Sequence, residues 1–172
     1  TQIAGSEPGN AWGQGKDVPL IAMAHGIPYV ATATVADLRD LERKVEKAMS
    51  IHGARYIHIF VPCPLGWGAP SGKTVEIARL AAETRLFPVF EAEYGEVTHA
   101  RKIRRLRPVE DYLKMQKRFA HLFGKKGDPA TVARIQAVAD RNIERFGLLD
   151  GEEDKEMIIP VPAQADARTQ AR

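Results

Sequence analysis

Apolar and polar positions along this 172-residue chain alternate between a helical and a strand rhythm. Residues 17–25 read as a short amphipathic helix, with Asp17 as N-cap and Gly26 as its stop. Ile27–Thr32 is rich in strand formers. Thr34 and Asp37 then resemble a capping box for a helix running to about Met49, with Val35, Leu38, Leu41, Val45 and Ala48 on its apolar face. Tyr56–Val61 is the next strand. Thr74–Thr84 reads as a helix through Val75, Ile77, Leu80 and Ala81, and Phe87–Glu91 as a third strand, short or at a sheet edge because of Pro88. Pro108–Phe123 and a helix from Asp128-Pro129 to Phe146, stopped by Gly147, close the ordered pattern. Such alternation predicts an α/β layer structure whose mostly parallel strands are joined by crossover helices. Three strands are few for an independent α/β domain, so part of the sheet is expected from another polypeptide or from residues upstream of Thr1.

Composition narrows the class. With 44% hydrophobic and 27% charged residues the chain reads as globular. No apolar run approaches the length of a membrane span, and no signal peptide is visible. A cytoplasmic, reducing location is the expectation, and one cysteine excludes an internal disulfide. A net charge of +3 does not by itself point to nucleic acid. Residues 1–16 read as an irregular loop and the sequence as one that begins inside a domain. From Asp150 onward, acidic residues, prolines and a polar end predict an extended tail.

Chemistry concentrates on Cys63, between Pro62 and Pro64 at the end of a strand. Two prolines fix the backbone around the thiol. In open α/β sheets, ligands gather beyond the carboxyl ends of strands. The sulfur can be read as a small buried hydrophobe, as a nucleophile served by His25, His52 or His58, or as a metal ligand. A zinc or iron–sulfur site needs three further ligands, which this chain does not offer as thiols. Gly72-Lys73-Thr74, after a strand and before a helix, invites a phosphate-loop reading. That loop needs a glycine at position 67, where Trp67 stands, and Pro70 removes a donor. Arg101, Lys102, Arg104, Arg105 and Arg107 form a basic run, read either as a solvated face or as a dock for an acidic partner such as a small electron carrier. No aromatic interleaving suggests nucleic acid.

Several segments together resemble a known family. They are HGIPYVATA at 25–33, YIHI from Tyr56 with PCPLGW at 62–67, TVEIARLAAET at 74–84, FPVFE at 87–91, and PVEDYL from Pro108 followed by Gln116, Arg118 and Phe119. This set resembles the C-terminal half of the β subunit of 2-oxoacid:ferredoxin oxidoreductases, of the pyruvate synthase and phenylglyoxylate dehydrogenase type, from Thr1 to about Leu122. The resemblance implies part of a thiamine diphosphate-binding α/β fold over 1–107, a helical extension over 108–149 and an extended tail over 150–172. It implies an enzyme that converts a 2-oxoacid to its acyl-CoA with thiamine diphosphate and Mg²⁺, and passes electrons through 4Fe–4S clusters to ferredoxin. Cys63 would be the fourth ligand of the cluster nearest the thiamine, with Leu65 and Trp67 as a dry shell around it. Thr1, Gln2 and Ser6 would neighbour the cofactor diphosphate, although relatives have glycine where Gln2 stands and glutamine where Ala4 stands. Partners implied are the α and γ/δ-type subunits, an electron carrier, coenzyme A and the 2-oxoacid. The rival readings are a nucleotide-binding enzyme using Gly72, Lys73 and Thr74, and a non-catalytic assembly subunit of the same fold.

Overall fold

The computed structural model describes residues 16–149. It shows an α/β layer structure: a four-stranded sheet in the order β2-β1-β3-β4, with helices on both faces. The strands are β1 (Tyr29–Thr34), β2 (Arg55–Phe60), β3 (Phe90–Glu93) and β4 (Glu96–Ala100). Only β1 and β2 run parallel. The pairs β1/β3 and β3/β4 are antiparallel, which corrects the expectation of a mostly parallel sheet. Pro88 lies before β3 rather than within it, so β3 keeps its ladder donors and occupies an interior position beside β1.

The reversal comes from a hairpin that the hydrophobic pattern does not reveal. Tyr94 and Gly95 both take positive φ, 50° and 90°, so a two-residue turn returns the chain into β4. That backbone matches strand twist, but it is usually announced by Asn-Gly or Asp-Gly rather than Tyr-Gly.

β1 is buried at all six positions. On one face, Val30 joins Phe90, Ala92, Ala22 of α1 (Val18–Ala24) and Phe146 of the last helix. The other face carries Tyr29 and Ala31 against Ala48 of α2 (Leu38–Ser50). Here the contact is largely ionic. The Lys44 ammonium, 1% exposed, donates to the Thr32 carbonyl at 2.8 Å and pairs with Asp40 at 2.6 Å. Glu91 accepts from the Tyr29 hydroxyl at 2.9 Å and pairs with Lys47 and Arg43. Of the expected apolar face Ala48 is buried, while Leu38 and Val45 point outward together with Met49, Leu38 being 66% and Met49 71% exposed. At 100° per residue, that stripe lies roughly a quarter turn from the line of Lys44 and Ala48 that meets the sheet.

α4 (Thr74–Glu83) and α6 (Pro129–Phe146) form where capping and periodicity place them. The Asp128 carboxylate accepts from Thr131 N–H, Pro129 occupies the first turn, and Gly147 closes α6 in the left-handed conformation. α4 and α6 share a core with α5 (Val109–Leu113), through Ile77, Leu80, Leu113 and Ala139. The buried Arg85 side chain ties the end of α4 to Asp140 of α6 at 2.7 Å.

The single helix expected over 108–123 is broken. After α5 the backbone of Gln116 is extended, a 3-10 turn follows over Lys117–Leu122, and the Gln116 side chain donates to the Tyr112 carbonyl at 2.8 Å. The segment leaves the helix because it docks elsewhere: Lys117 N–H donates to the Gly68 carbonyl at 3.3 Å. Gly68 has φ +63°, and a Cβ there would stand 2.8 Å from Lys117 Cβ. Gly68→Ala is therefore expected to cost about 1–3 kcal/mol, from left-handed strain plus this clash, read as a lower urea midpoint of the assembled protein.

A second expectation concerns acid. Burial pushes the Glu91 carboxyl up, but hydrogen bonds from Lys47 and Tyr29 and the charges of Lys47 and Arg43 outweigh it and hold its pKa below the ordinary value. A carboxylate depressed in the folded state contributes stability above its unfolded pKa and loses it as pH falls through the folded value. Urea midpoints measured down a pH series should fall in that acidic window, and Glu91→Gln should flatten that part of the profile.

Candidate functional site

Cys63 follows β2 at the carboxyl edge of the β1/β2 parallel pair, where the Val35 amide still donates to the Phe60 carbonyl. Its backbone is extended, and it serves as N-cap of a one-turn helix, α3 (Pro64–Trp67). Pro64 thus opens a helix rather than preventing one, since its missing N–H falls where no partner is needed. The turn is closed by Trp67 N–H to the Cys63 carbonyl at 3.0 Å and Ala69 N–H to the Pro64 carbonyl at 2.9 Å. Pro62 is buried beneath it, while the thiol itself is exposed. The reading of Cys63 as a buried hydrophobe is thereby corrected. A Cβ on Gly66 would come to 3.4 Å from the sulfur, so the glycine keeps the inner side of the thiol uncrowded.

Among the described residues no histidine hydrogen-bonds the Cys63 thiol, so the nucleophile reading finds no base there. His25 caps α1 ahead of β1, and His52 precedes β2. Both therefore lie toward the amino edge of the parallel pair. The six residues of β2 put His52 roughly 20 Å from Cys63. His58 sits in β2 edge-on to Tyr56 and Phe87, with its Nδ1 buried and unpartnered.

The neighbour that sequence reasoning left without a role is Arg118. Its guanidinium stacks 3.9 Å over the Trp67 ring, donates to Gln116 Oε1 at 2.9 Å and reaches the Tyr112 hydroxyl at 3.5 Å. Burial lowers its pKa, and Tyr112 and Cys63 act in the opposite direction. An arginine remains charged under such shifts. A fixed cation is thus held within electrostatic reach of the thiol. The only signal for it in the sequence was its place in the resembling segment.

Trp67 packs against Phe60 at 5.8 Å and under Arg118, whereas Leu65 is 96% exposed. Only Trp67 of the expected apolar pair is covered by other described residues. Among the described residues no three His, Cys, Asp or Glu side chains group as a metal site. An exposed thiol on a proline-bracketed turn fits a cluster only as one corner, and the other corners would have to come from outside the described residues.

The phosphate-loop reading does not survive the geometry. Ser71–Lys73 forms a 3-10 turn, the Lys73 ammonium pairs with Glu76 at 2.6 Å, and the Thr74 hydroxyl bonds the Ser71 carbonyl. No cradle of amides opens there. The basic run is dispersed: Arg101 pairs with Asp37 at 3.2 Å and Arg107 with Asp111 at 2.6 Å. Thr1, Gln2 and Ser6 lie outside the described residues, as does the tail after Leu149. No described helix is long and apolar enough to cross a membrane.

Comparison with known proteins bears on these arrangements. No protein-family model matches the chain. The pyruvate synthase subunit PorB of Methanosarcina barkeri is 53% identical over 133 residues, 77% of this chain and 45% of the relative. PorB of Methanocaldococcus jannaschii is 47% identical over 133 residues, 77% of this chain and 43% of the relative. The ketoisovalerate oxidoreductase subunit VorB of Pyrococcus abyssi is 47% identical over 109 residues, 62% of this chain and 35% of the relative. The chain spans less than half the length of the curated relatives it matches. With the α/β layers and the proline-bracketed cysteine in place, identities of this size show that the chain belongs to the β-subunit family of 2-oxoacid:ferredoxin oxidoreductases, to which PorB and VorB belong.

Proposed function

We propose that this chain is part of the β subunit of an enzyme that oxidatively decarboxylates a 2-oxoacid to its CoA thioester, and that Cys63 supplies one ligand of a 4Fe–4S cluster. The reaction releases CO₂ and two electrons, which one-electron carriers must take up singly. The observation that carries the reading is the presentation of the thiol: exposed, on a turn braced by two prolines and a left-handed glycine, with Arg118 stacked over Trp67 of the same turn. Thiamine diphosphate with Mg²⁺ supplies the electron sink for decarboxylation when bound. Thr1, Gln2 and Ser6 are the residues of this chain proposed to neighbour its diphosphate.

The chain's own part is positional. Pro62 and Pro64 limit the backbone on either side of the sulfur. Trp67, packed against Phe60 and under the Arg118 guanidinium, gives the turn an apolar flank. An electron carrier such as ferredoxin, the α and γ/δ-type subunits, and coenzyme A complete the proposed system in the cytoplasm. The domain division at 107 and 149 stands as part of the same proposal.

Two surfaces support a larger assembly. β2 is an edge strand in the described sheet, with Ile59 41% and Val61 57% exposed. α2 turns Leu38, Val45 and Met49 outward. An open edge beside an apolar helix face is what a sheet leaves when more of its own layer is to be added. We assign this surface to the remainder of the same subunit.

Cys63→Ala in the assembled enzyme should remove one cluster by iron count and EPR while the others persist. Full iron content with an unchanged spectrum would refute ligation. Leu38→Glu with Met49→Glu should prevent stable assembly, seen as a shift to smaller species in size-exclusion chromatography, whereas Val97→Glu on β4 should not.

A further inference from the structure

Beyond the carboxyl end of β1 lies a cleft of about 690 Å³. Its floor is apolar: Val89, Ala100 and Leu148 are buried and line it together with Pro88. Cationic groups line it from two separate parts of the chain. α4 contributes Arg79, and the segment after β4 contributes Arg101, Lys102, Arg104 and Arg105; Glu83 is the one carboxylate among the lining residues. Arg101 is engaged by Asp37 and Lys102 by the Leu149 carbonyl. Arg79, Arg104 and Arg105 have no hydrogen-bond or ion-pair partner among the described residues.

Concavity changes what the basic run means. A protein partner docks on a broad surface, whereas a cleft of this volume matches a small molecule. Guanidinium groups in excess over carboxylates select phosphate, which each can bind through two parallel hydrogen bonds. An apolar floor suits the organic body of such a ligand. The location also fits the general rule for ligands in sheets of this class, at the carboxyl end of a parallel strand. We infer that this cleft binds a small organic phosphate ester of nucleotide size, with its phosphates held by Arg79, Arg104 and Arg105. The inference is independent of Cys63 and stands whether or not that thiol ligates a cluster.

The test uses the assembled oxidoreductase with saturating thiamine diphosphate, so that its diphosphate site is filled. Labelled pyrophosphate, ADP and adenosine are measured by equilibrium dialysis at low and high salt. One site per β subunit should take pyrophosphate and ADP but not adenosine, and should weaken as salt rises. ADP binding more tightly than pyrophosphate supports use of the apolar floor, while equal affinity would overturn the organic-ester assignment. Arg104→Gln with Arg105→Gln should weaken binding at least tenfold, and Lys125→Gln, outside the cleft, should leave it unchanged. If the double variant does not assemble, Arg79→Gln on α4 provides the same reading. Unchanged affinity in these variants, or no site at all, overturns the inference. So does slower reduction of an acidic protein carrier with phosphate binding intact. Binding that appears only after removal of residues 150–172 would assign the cleft to the chain's own acidic segment instead, and also overturns it.

Discussion

The contact on which the site depends is the approach of Lys117 to Gly68. Without a Cβ at position 68, the backbone of residues 116–118 comes close enough for the Lys117 amide to reach the Gly68 carbonyl. That single approach does two things. It interrupts the helix that would otherwise continue from α5, and it sets Arg118 over Trp67, one turn from Cys63. The rigidity of the thiol is therefore not only a property of its flanking prolines. It is a tertiary arrangement between segments about fifty residues apart, secured by the burial of Gln116 and its bond to Tyr112.

What could be read in advance was what local chemistry decides. Asp17, Asp128, Pro129, Gly26 and Gly147 bound their helices as their side chains and φ preferences dictate. The strand before Cys63 and the helix after Lys73 were equally legible, because both follow a single clear period. Strand direction was not. Whether β3 runs with or against β1 depends on which partner it finds, and the Tyr94-Gly95 turn that settles it lacks the usual turn residues. The break after α5 was hidden for a different reason: residues 114–122 have helical periodicity, and only a partner elsewhere in the chain withdraws them from it.

The helix α2 shows how a pattern can be correctly seen and wrongly assigned. Of the expected face Leu38 and Val45 turn outward, joined by Met49, and only Ala48 meets the sheet, in company with Lys44 and Lys47. A buried lysine is tolerated because Asp40 and the Thr32 carbonyl satisfy it, and Glu91 is tolerated because Tyr29, Lys47 and Arg43 converge on it. Such an interface is specific in register more than it is strong, since an ion pair removed from water regains little beyond its desolvation cost. A helix held to its sheet by charge is free to spend its apolar side elsewhere, which is why the outward stripe reads as an assembly surface rather than as a defect.

At the site, the cysteine was legible because proline on both sides is rare and informative. Arg118 was not, because an arginine's meaning lies in what it stacks upon. The same limit applied to the basic run after β4, where linear order suggested a patch. Folding distributes it: Arg101 and Arg107 turn to acidic partners, while Arg104 and Arg105 join Arg79 from a different helix around a concave floor. Cys63 and that cleft stand at the same carboxyl edge of the sheet, one offering an exposed thiol and the other positive charge. The division of that edge between a braced thiol and a cationic hollow follows from two turns, at Gly68 and at Tyr94-Gly95, each of which requires a left-handed backbone.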